Sequence, residues 1–246
     1  MKIAWERHGA GPPLLLIHGL GYARWGWEPV VEPLARSFDT ILFDNRGIGE
    51  SDAPPGPYTA AEMAADAVQV LDVAGVGRAN VVGTSLGGMI AQELALAYPK
   101  RVEKLVLACT TPGGPQAFPM PQRTVELMQA RATLREYVQN ALEPDPRPEL
   151  VVRILGHRER TAQGFEPWAA QAAAGATFDA HDRLGFLTAP TLVQHGDGDV
   201  VVDPGNAGLL AAAIPGARTS MYAGCGHLFM WQAPERFVSE LEEFLC

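Results

Sequence analysis

The chain is poor in cysteine. Its three cysteines, Cys109, Cys225 and Cys246, are odd in number and far apart in the sequence. A disulfide framework uses cysteines in even sets, and a zinc knuckle groups them at close spacing. The sequence therefore predicts neither a disulfide-stabilised fold nor a cysteine metal site, and we expect no bound metal.

Long hydrophobic runs are also absent. The first apolar run, Leu14 to Ile17, ends at His18 and is shorter than the apolar region of a secretory signal. No later stretch approaches the ~20 apolar residues that a membrane-spanning helix needs. We therefore expect a cytoplasmic protein with no membrane partner.

Positive charge is scarce. Lysine and arginine together number 19, against 28 aspartates and glutamates, so the net charge is −9. The basic residues are dispersed, and their one close cluster is RILGHRER at 153–160. A nucleic-acid-binding face needs basic residues concentrated on one surface. The composition thus argues against a nucleic-acid partner.

The chain does contain enough apolar residues for a sizeable core. Its 246 residues are 47% hydrophobic, which suits one domain with an inserted subdomain. Short apolar runs, typical of buried strands, alternate with helical patterns. This alternation predicts an α/β fold with a mostly parallel sheet flanked by helices. The predicted strands are 13–18, 40–43, 80–82, 104–109, 191–195 and 218–222. The predicted helices are Thr59–Ala74, Ser85–Tyr98, Gly205–Ile214 and Pro234–Leu245.

The alternation stops between Thr110 and Thr188. After a turn-rich segment at 112–121, helical patterns lie at 124–142 and 148–160, and a further run at 165–178 also lacks strand character. A helical insertion between two parallel strands predicts a cap that sits on the sheet. The chain is therefore divided into a first core part, a helical cap and a second core part, with the bounds 1–111, 112–188 and 189–246.

Ser85 stands out among the serines. In VVGTSLGGM, Gly83 and Gly87 lie two residues before and after it, between a predicted strand and a predicted helix. A serine at such a turn adopts an unfavourable backbone conformation, and side chains two residues away would collide. The helix N-terminus also directs free N–H groups at developing negative charge. The pattern predicts a nucleophilic serine; the alternative is a serine that caps a helix after a glycine-rich turn.

A serine nucleophile needs a base, and the base needs an acid that orients it. Among the six histidines, His227 lies in a glycine-rich loop after the last predicted strand, at the sheet edge expected for Ser85. Asp197, Asp199 and Asp203 directly follow another strand. The chain order serine, aspartate, histidine fits this architecture. Spacing alone leaves all three aspartates as candidates.

An acyl-transfer intermediate also needs N–H donors held ready for its oxyanion. The amide of Leu86, directly after Ser85, is one candidate. HGLG at 18–21 follows the first apolar strand and offers a glycine-flanked backbone for a second donor. The alternative for HGLG is a simple strand-ending turn.

Together these segments resemble the α/β-hydrolase superfamily over nearly the whole chain. The resemblance rests on HGLG at 18, DNRGIGESD at 44, GTSLGG at 83, APTLVQHGDGD at 189 and GCGH at 224. It implies Ser85 as nucleophile and His227 as base. It implies Asp199 as acid, because Asp199 best matches the aspartate that opens a D-x-x-V-P-like turn. It further implies Leu20 and Leu86 as oxyanion-hole amides, and a sheet of seven or eight strands.

Within the superfamily, the chain is similar to a small lid-bearing group of 3-oxoadipate enol-lactonases, carboxylesterases and cofactor-free haloperoxidases. The resemblance implies a serine hydrolase that cleaves a small-molecule carboxylic ester or lactone through an acyl-enzyme, without a cofactor. The alternatives are a C–C bond hydrolase or perhydrolase with the same residues, and a receptor that binds a small molecule without turnover. Arg123, Arg131 and Arg135 are candidates for binding a substrate carboxylate from the cap, against the alternative that they are solvated.

Overall fold

A sheet of seven strands lies at the centre of the molecule. The strands are β1 (Trp5–His8), β2 (Pro13–Ile17), β3 (Asp39–Phe43), β4 (Ala79–Thr84), β5 (Val102–Ala108), β6 (Thr191–Gly196) and β7 (Arg218–Tyr222). In this computed structural model, which describes residues 1–246, their spatial order is β1-β3-β2-β4-β5-β6-β7. β1 pairs antiparallel with β3, and every other neighbouring pair is parallel. The prediction of a mostly parallel α/β sheet is confirmed, with seven strands.

Ten α-helices accompany the sheet. They are α1 (Glu28–Leu34), α2 (Ala60–Val73), α3 (Leu86–Ala97), α4 (Gln122–Gln129), α5 (Leu134–Ala141), α6 (Pro148–Arg160), α7 (Phe165–Ala176), α8 (Gly205–Ala213), α9 (Phe229–Gln232) and α10 (Pro234–Leu245). None of them combines the length and the apolar character needed to cross a membrane.

The sheet has a separate apolar core on each face, because successive side chains of a strand point to opposite sides. In β2, Leu15 packs into a core of 34 buried residues that includes side chains of α2, α3 and α8. Its neighbours Leu14 and Leu16 pack into the other core, of 29 buried residues, with side chains of α1 and α10. Helices on both faces explain why the central strands are continuous apolar runs.

Most predicted elements are present within one or two residues of the predicted bounds. A capping box begins α2: the Thr59 side chain accepts from the Glu62 amide, and the Glu62 side chain accepts from the Thr59 amide. The helical pattern predicted over 124–142 is two helices, α4 and α5. Arg131 lies between them with φ 51°, which ends the first helix.

The four helices α4 to α7 all lie between β5 and β6. These two strands are direct neighbours in the sheet, with Ala108 opposite Gln194 in the register. The chain therefore leaves the sheet after one strand and returns beside it. The assignment of residues 112–188 as a distinct cap domain stays a prediction.

Candidate active site

Ser85 occupies the turn between β4 and α3 in a conformation that few side chains adopt. Its φ is 54°, in the left-handed region. A Cβ atom on Gly83 would lie 2.2 Å from the carbonyl oxygen of Gly87, and one on Gly87 would lie 2.1 Å from the carbonyl oxygen of Ile17. Both flanking glycines are thus required by close backbone approach, as the sequence pattern predicts.

The HGLG loop after β2 lies against this turn. A Cβ atom on Gly19 would be 2.9 Å from the Cβ of Ser85, so the loop passes directly beside the serine. The amide of Leu20 makes no hydrogen bond within the protein, and neither does the amide of Leu86 at the start of α3. Two unpaired backbone donors therefore belong to the segments that meet at Ser85.

His227 and Asp199 are in direct contact. Nδ1 of His227 lies 2.8 Å from Oδ2 of Asp199, whose side chain is fully buried. The other two candidate aspartates bind loop amides instead: Asp197 accepts from Gly224, and Asp203 accepts from Gly205. Of the three aspartates that spacing left open, only Asp199 touches the histidine.

A second histidine, which the sequence reasoning did not identify, also binds Asp199. Nε2 of His195 lies 3.0 Å from Oδ2 of Asp199 and 3.1 Å from the carbonyl oxygen of Val202. Because a carboxylate and a carbonyl only accept hydrogen bonds, Nε2 of His195 carries the proton. The feature that could have identified His195 is its position within a strand that is wholly buried, because a buried imidazole needs a polar partner.

Asp199 is held as a carboxylate. Burial by itself would raise its pKa, but the charge of His227 and hydrogen bonds from both histidines outweigh burial and lower the pKa below its usual range. Its Oδ1 accepts from the amides of Val201 at 2.7 Å and Val202 at 3.0 Å. This environment is suited to fixing the ring of His227 and stabilising positive charge on it.

Ser85 and His227 line one cavity of about 890 Å³. In this structure the serine hydroxyl is not hydrogen-bonded to Nε2 of His227. Hydrogen bonds between such groups often form only once a substrate is bound. The hydroxyl of Ser85, the imidazole of His227 that contacts Asp199, and the residues Leu20 and Leu86 with their unpaired amides thus meet at one cavity.

His18 adjoins the same site but is held neutral. Burial lowers the pKa of His18 to about 3, and the charges of His227 and Arg158 act in the same direction. Nδ1 of His18 accepts from the Gly19 amide at 2.8 Å. His18 therefore supports the HGLG backbone and is uncharged near neutral pH.

The cavity wall is mostly apolar. Side chains from the inserted helices and from the sheet edge face each other across it, including Leu20, Met89, Met128, Tyr137, Trp168 and Phe178. No three metal-ligating side chains lie close enough together to hold a metal ion. The site is therefore shaped for an organic molecule with a substantial apolar part.

Known proteins share this architecture. A family model described as the alpha/beta hydrolase fold matches residues 12–234. The chain is 33% identical over 244 residues to RutD of Azorhizobium caulinodans, named as a carbamate hydrolase candidate, covering 95% of this chain and 91% of that protein. It is 32% identical over 265 residues to a 2-hydroxy-6-oxononadienedioate/2-hydroxy-6-oxononatrienedioate hydrolase of Burkholderia vietnamiensis, covering 100% of this chain and 91% of the relative.

A similar solved structure is that of Est816, described as an N-acyl homoserine lactone degrading enzyme. It superimposes with a TM-score of 0.86 at 31% identity, over 99% of this chain and 96% of that chain. The relatives thus share a fold and a hydrolytic activity but differ in the bond that is cleaved.

Proposed function

The chain belongs to the α/β-hydrolase family, and on that premise we propose that it cleaves a carboxylic ester or lactone through an acyl-enzyme formed on Ser85. The observation that carries this proposal is the φ of 54° at Ser85, beside the unpaired amides of Leu20 and Leu86. Strained backbone at a non-glycine residue persists where function requires it. A serine that merely caps a helix needs neither the strain nor the free donors.

In the proposed reaction, Nε2 of His227 takes the proton of the Ser85 hydroxyl as Oγ attacks the substrate carbonyl carbon. The carbonyl oxygen becomes an oxyanion, which accepts hydrogen bonds from the Leu20 and Leu86 amides. Asp199 keeps the proton of His227 on Nδ1 and stabilises the imidazolium. The intermediate then expels the alcohol, which receives the proton from Nε2.

The second half of the reaction returns the enzyme to its starting state. His227 removes a proton from a water molecule, whose oxygen attacks the acyl carbon and forms a second oxyanion at the same amides. Collapse of this intermediate releases the carboxylic acid, and the proton on His227 returns to Ser85 Oγ. For a lactone, the alcohol and the acid are two ends of one product.

We further propose that residues 112–188 act as a cap that shields the reacting groups from water. Met128, Tyr137 and Trp168, from three of its helices, line the cavity together with Ser85 and His227. Exclusion of water strengthens the hydrogen bonds to an oxyanion, because the local dielectric constant falls. The side chains of this segment also extend the cavity beyond Ser85 and His227.

A C–C bond hydrolase is the second candidate. It is favoured by the relative from Burkholderia vietnamiensis, which is named for hydrolysis of a 2-hydroxy-6-oxo dioate and is aligned over the whole chain. Both activities use the same reacting groups, so the substrate distinguishes them. Lactone hydrolysis is supported by the similarity to Est816, an N-acyl homoserine lactone degrading enzyme.

The test is pre-steady-state release of nitrophenol from p-nitrophenyl acetate and butyrate, with fluorophosphonate labelling of the same preparation. A burst together with a label on Ser85 supports an acyl-enzyme. Absence of both contradicts the proposal and favours binding without turnover. Steady hydrolysis of a 2-hydroxy-6-oxo dioate well above that of any ester or lactone favours the C–C hydrolase.

A further inference from the structure

One half-buried arginine of the inserted helices has no acidic partner. Eleven of the sixteen arginines form ion pairs with carboxylates. Among the other five, Arg158 of α6 is the one that is not solvent-exposed. In a chain with net charge −9, a half-buried guanidinium without a counter-charge requires an explanation.

The guanidinium of Arg158 lies on the cavity wall with most of its donors free. Nη1 donates to the carbonyl oxygen of Gly21 at 2.8 Å, and the group makes no other hydrogen bond. Its Cζ lies 5.0 Å from the centroid of the Tyr22 ring. A guanidinium has five N–H donors in a planar fork, so a planar anion can still be bound through two of them.

Arg158 is also close to the reacting groups. Gly21, which it contacts, is two residues beyond Gly19, the residue packed on Ser85. Consecutive Cα atoms are ~3.8 Å apart, so these two glycines lie within ~8 Å of each other. The guanidinium thus contacts the loop that lies against Ser85, and Arg158 and Ser85 line the same cavity.

Neighbouring groups make this position favourable for an anion. The Tyr22 hydroxyl makes no hydrogen bond within the protein, and burial raises the pKa of Tyr22, so the hydroxyl stays a donor. The one carboxylate on the cavity wall, that of Asp203, accepts from the Gly205 amide of its own turn. The predicted candidates lie elsewhere: Arg123 pairs with Glu143, and Arg131 and Arg135 are exposed away from the cavity wall.

From these contacts we propose that Arg158, assisted by Tyr22, binds a carboxylate of the substrate, so that the enzyme acts on anionic esters or lactones with an apolar acyl chain. This inference rests on the proposed hydrolase function and specifies its substrate class. The carboxylate replaces the missing counter-charge of Arg158. The apolar remainder of the cavity accommodates the chain between the carboxylate and the reacting carbonyl.

The test compares monoethyl glutarate with ethyl pentanoate, two esters whose acyl chains differ in ending in a carboxylate or a methyl group. Hydrolysis by the intact protein is followed in a pH-stat. We expect kcat/KM to favour monoethyl glutarate. Arg158→Met should lower kcat/KM for this ester by about tenfold to a hundredfold, and change that for ethyl pentanoate by less than about twofold.

Two further variants complete the design. Arg158→Lys keeps the positive charge but removes the paired N–H donors of the guanidinium, and we expect an intermediate loss of kcat/KM on the anionic ester. Arg135→Met removes an exposed charge from the same inserted segment and should alter neither value. A preference of the unmodified enzyme for ethyl pentanoate, or an equal loss on both esters in Arg158→Met, overturns the proposal. Equal loss would mean that Arg158 only supports the Gly21 backbone.

Binding separates this proposal from the hydrolase assignment. If neither ester is hydrolysed and fluorophosphonate leaves Ser85 unlabelled, the proposed function fails, and the anion site is still tested by calorimetry. Ser85→Ala should bind monoethyl glutarate more tightly than ethyl pentanoate, and the double variant Ser85→Ala/Arg158→Met should lose that preference. A preference that persists without Arg158, or is absent with it, overturns the anion site.

Discussion

Nε2 of His195 lies 3.0 Å from Oδ2 of Asp199, the same oxygen that His227 contacts. One carboxylate oxygen thus accepts from two imidazoles, of which only His227 lines the cavity. His195 is fully buried and contacts the Asp199 carboxylate from outside the cavity. In the proposed reaction it acts through Asp199 and is therefore a positioning residue.

Removing the His195 donor should weaken the orientation of Asp199. We expect His195→Leu to lower kcat by about tenfold, which is much less than the loss from removing a reacting group. His195→Gln places an amide donor near the same point and should recover most of the activity. The measurement is kcat as a function of pH, together with urea unfolding. Lower stability with an unchanged kcat and pH profile would show that His195 serves only the fold.

Asp199 should be the one aspartate of its loop that the reaction requires. Asp199→Asn leaves His227 without a charged acceptor at Nδ1 and favours the wrong tautomer, so kcat should fall by about 10⁴-fold. Asp197→Asn is the matched control, because an asparagine oxygen can still accept from the Gly224 amide. Steady-state hydrolysis of p-nitrophenyl butyrate measures both. Similar losses in the two variants would contradict the proposed role of Asp199.

Ser85→Ala should lower kcat by about 10⁴-fold or more, since it removes the oxygen on which the proposed acyl-enzyme forms. Ser239, on the exposed side of α10, provides a control in which the same atoms are removed far from the cavity. Both variants are assayed with p-nitrophenyl butyrate and probed with fluorophosphonate. Residual activity in Ser85→Ala within tenfold of the unmodified enzyme would mean that another residue is the nucleophile.

Two helical glycines should respond in opposite directions to alanine. A Cβ on Gly87 would lie 2.1 Å from the carbonyl oxygen of Ile17. Because backbone atoms cannot easily move aside, Gly87→Ala should lower the free energy of unfolding by about 3 kcal/mol or more. Gly208 in α8 has nothing within 4 Å of an added Cβ. Gly208→Ala should therefore raise the free energy of unfolding by about 0.5–1 kcal/mol. Urea unfolding curves measure both, and a stabilising Gly87→Ala would contradict the described packing.

Stability should depend on pH through His18. Burial lowers the pKa of His18 to about 3 in the folded state, whereas an unfolded histidine has a pKa of ~6.5. Between these values the unfolded chain binds the additional proton, so the free energy of unfolding falls as the pH is lowered below ~6.5. The slope from this group is at most ~1.4 kcal/mol per pH unit.

The matched variant for this prediction is His18→Asn, whose side-chain oxygen can accept from the Gly19 amide in place of Nδ1. Urea unfolding between about pH 5 and pH 7 avoids the range in which Asp199 titrates, because an unfolded aspartate has a pKa of ~3.9. The variant should show a slope that is smaller by up to about one proton, with the difference increasing as the pH falls towards 5. An identical slope in both proteins would contradict a buried, neutral His18.

The main elements of the fold were predictable because buried parallel strands appear in the sequence as short apolar runs. β1 was not predicted, because its segment WERH is a half-buried, polar edge strand. The segment EPVVEPL, which forms α1, contains two prolines, and these conceal its helical pattern. The break between α4 and α5 depends on the backbone of Arg131, which residue type alone does not indicate.

Some residues of the candidate site have recognisable patterns in the sequence, and others do not. The glycines around Ser85 and the loop around His227 have recognisable local patterns, and resemblance selected Asp199 from three aspartates. The contacts of His195 and Arg158 depend on segments that are distant in the sequence, so no local pattern reveals them. In the case of Arg158 the informative feature is a missing partner, which only the folded chain makes visible.

The position of the inserted helices has a consequence for how such an enzyme diversifies. An isolated antiparallel bridge joins Gly113 to Asp179, so the two ends of the segment that carries the inserted helices lie beside each other. A lineage can lengthen, shorten or exchange this segment at a small entropic cost, without disturbing the register of a single strand. In the proposed reaction the reacting residues follow strands of the sheet, whereas the inserted helices line the cavity, so the segment that contacts the substrate can change separately from the reacting residues.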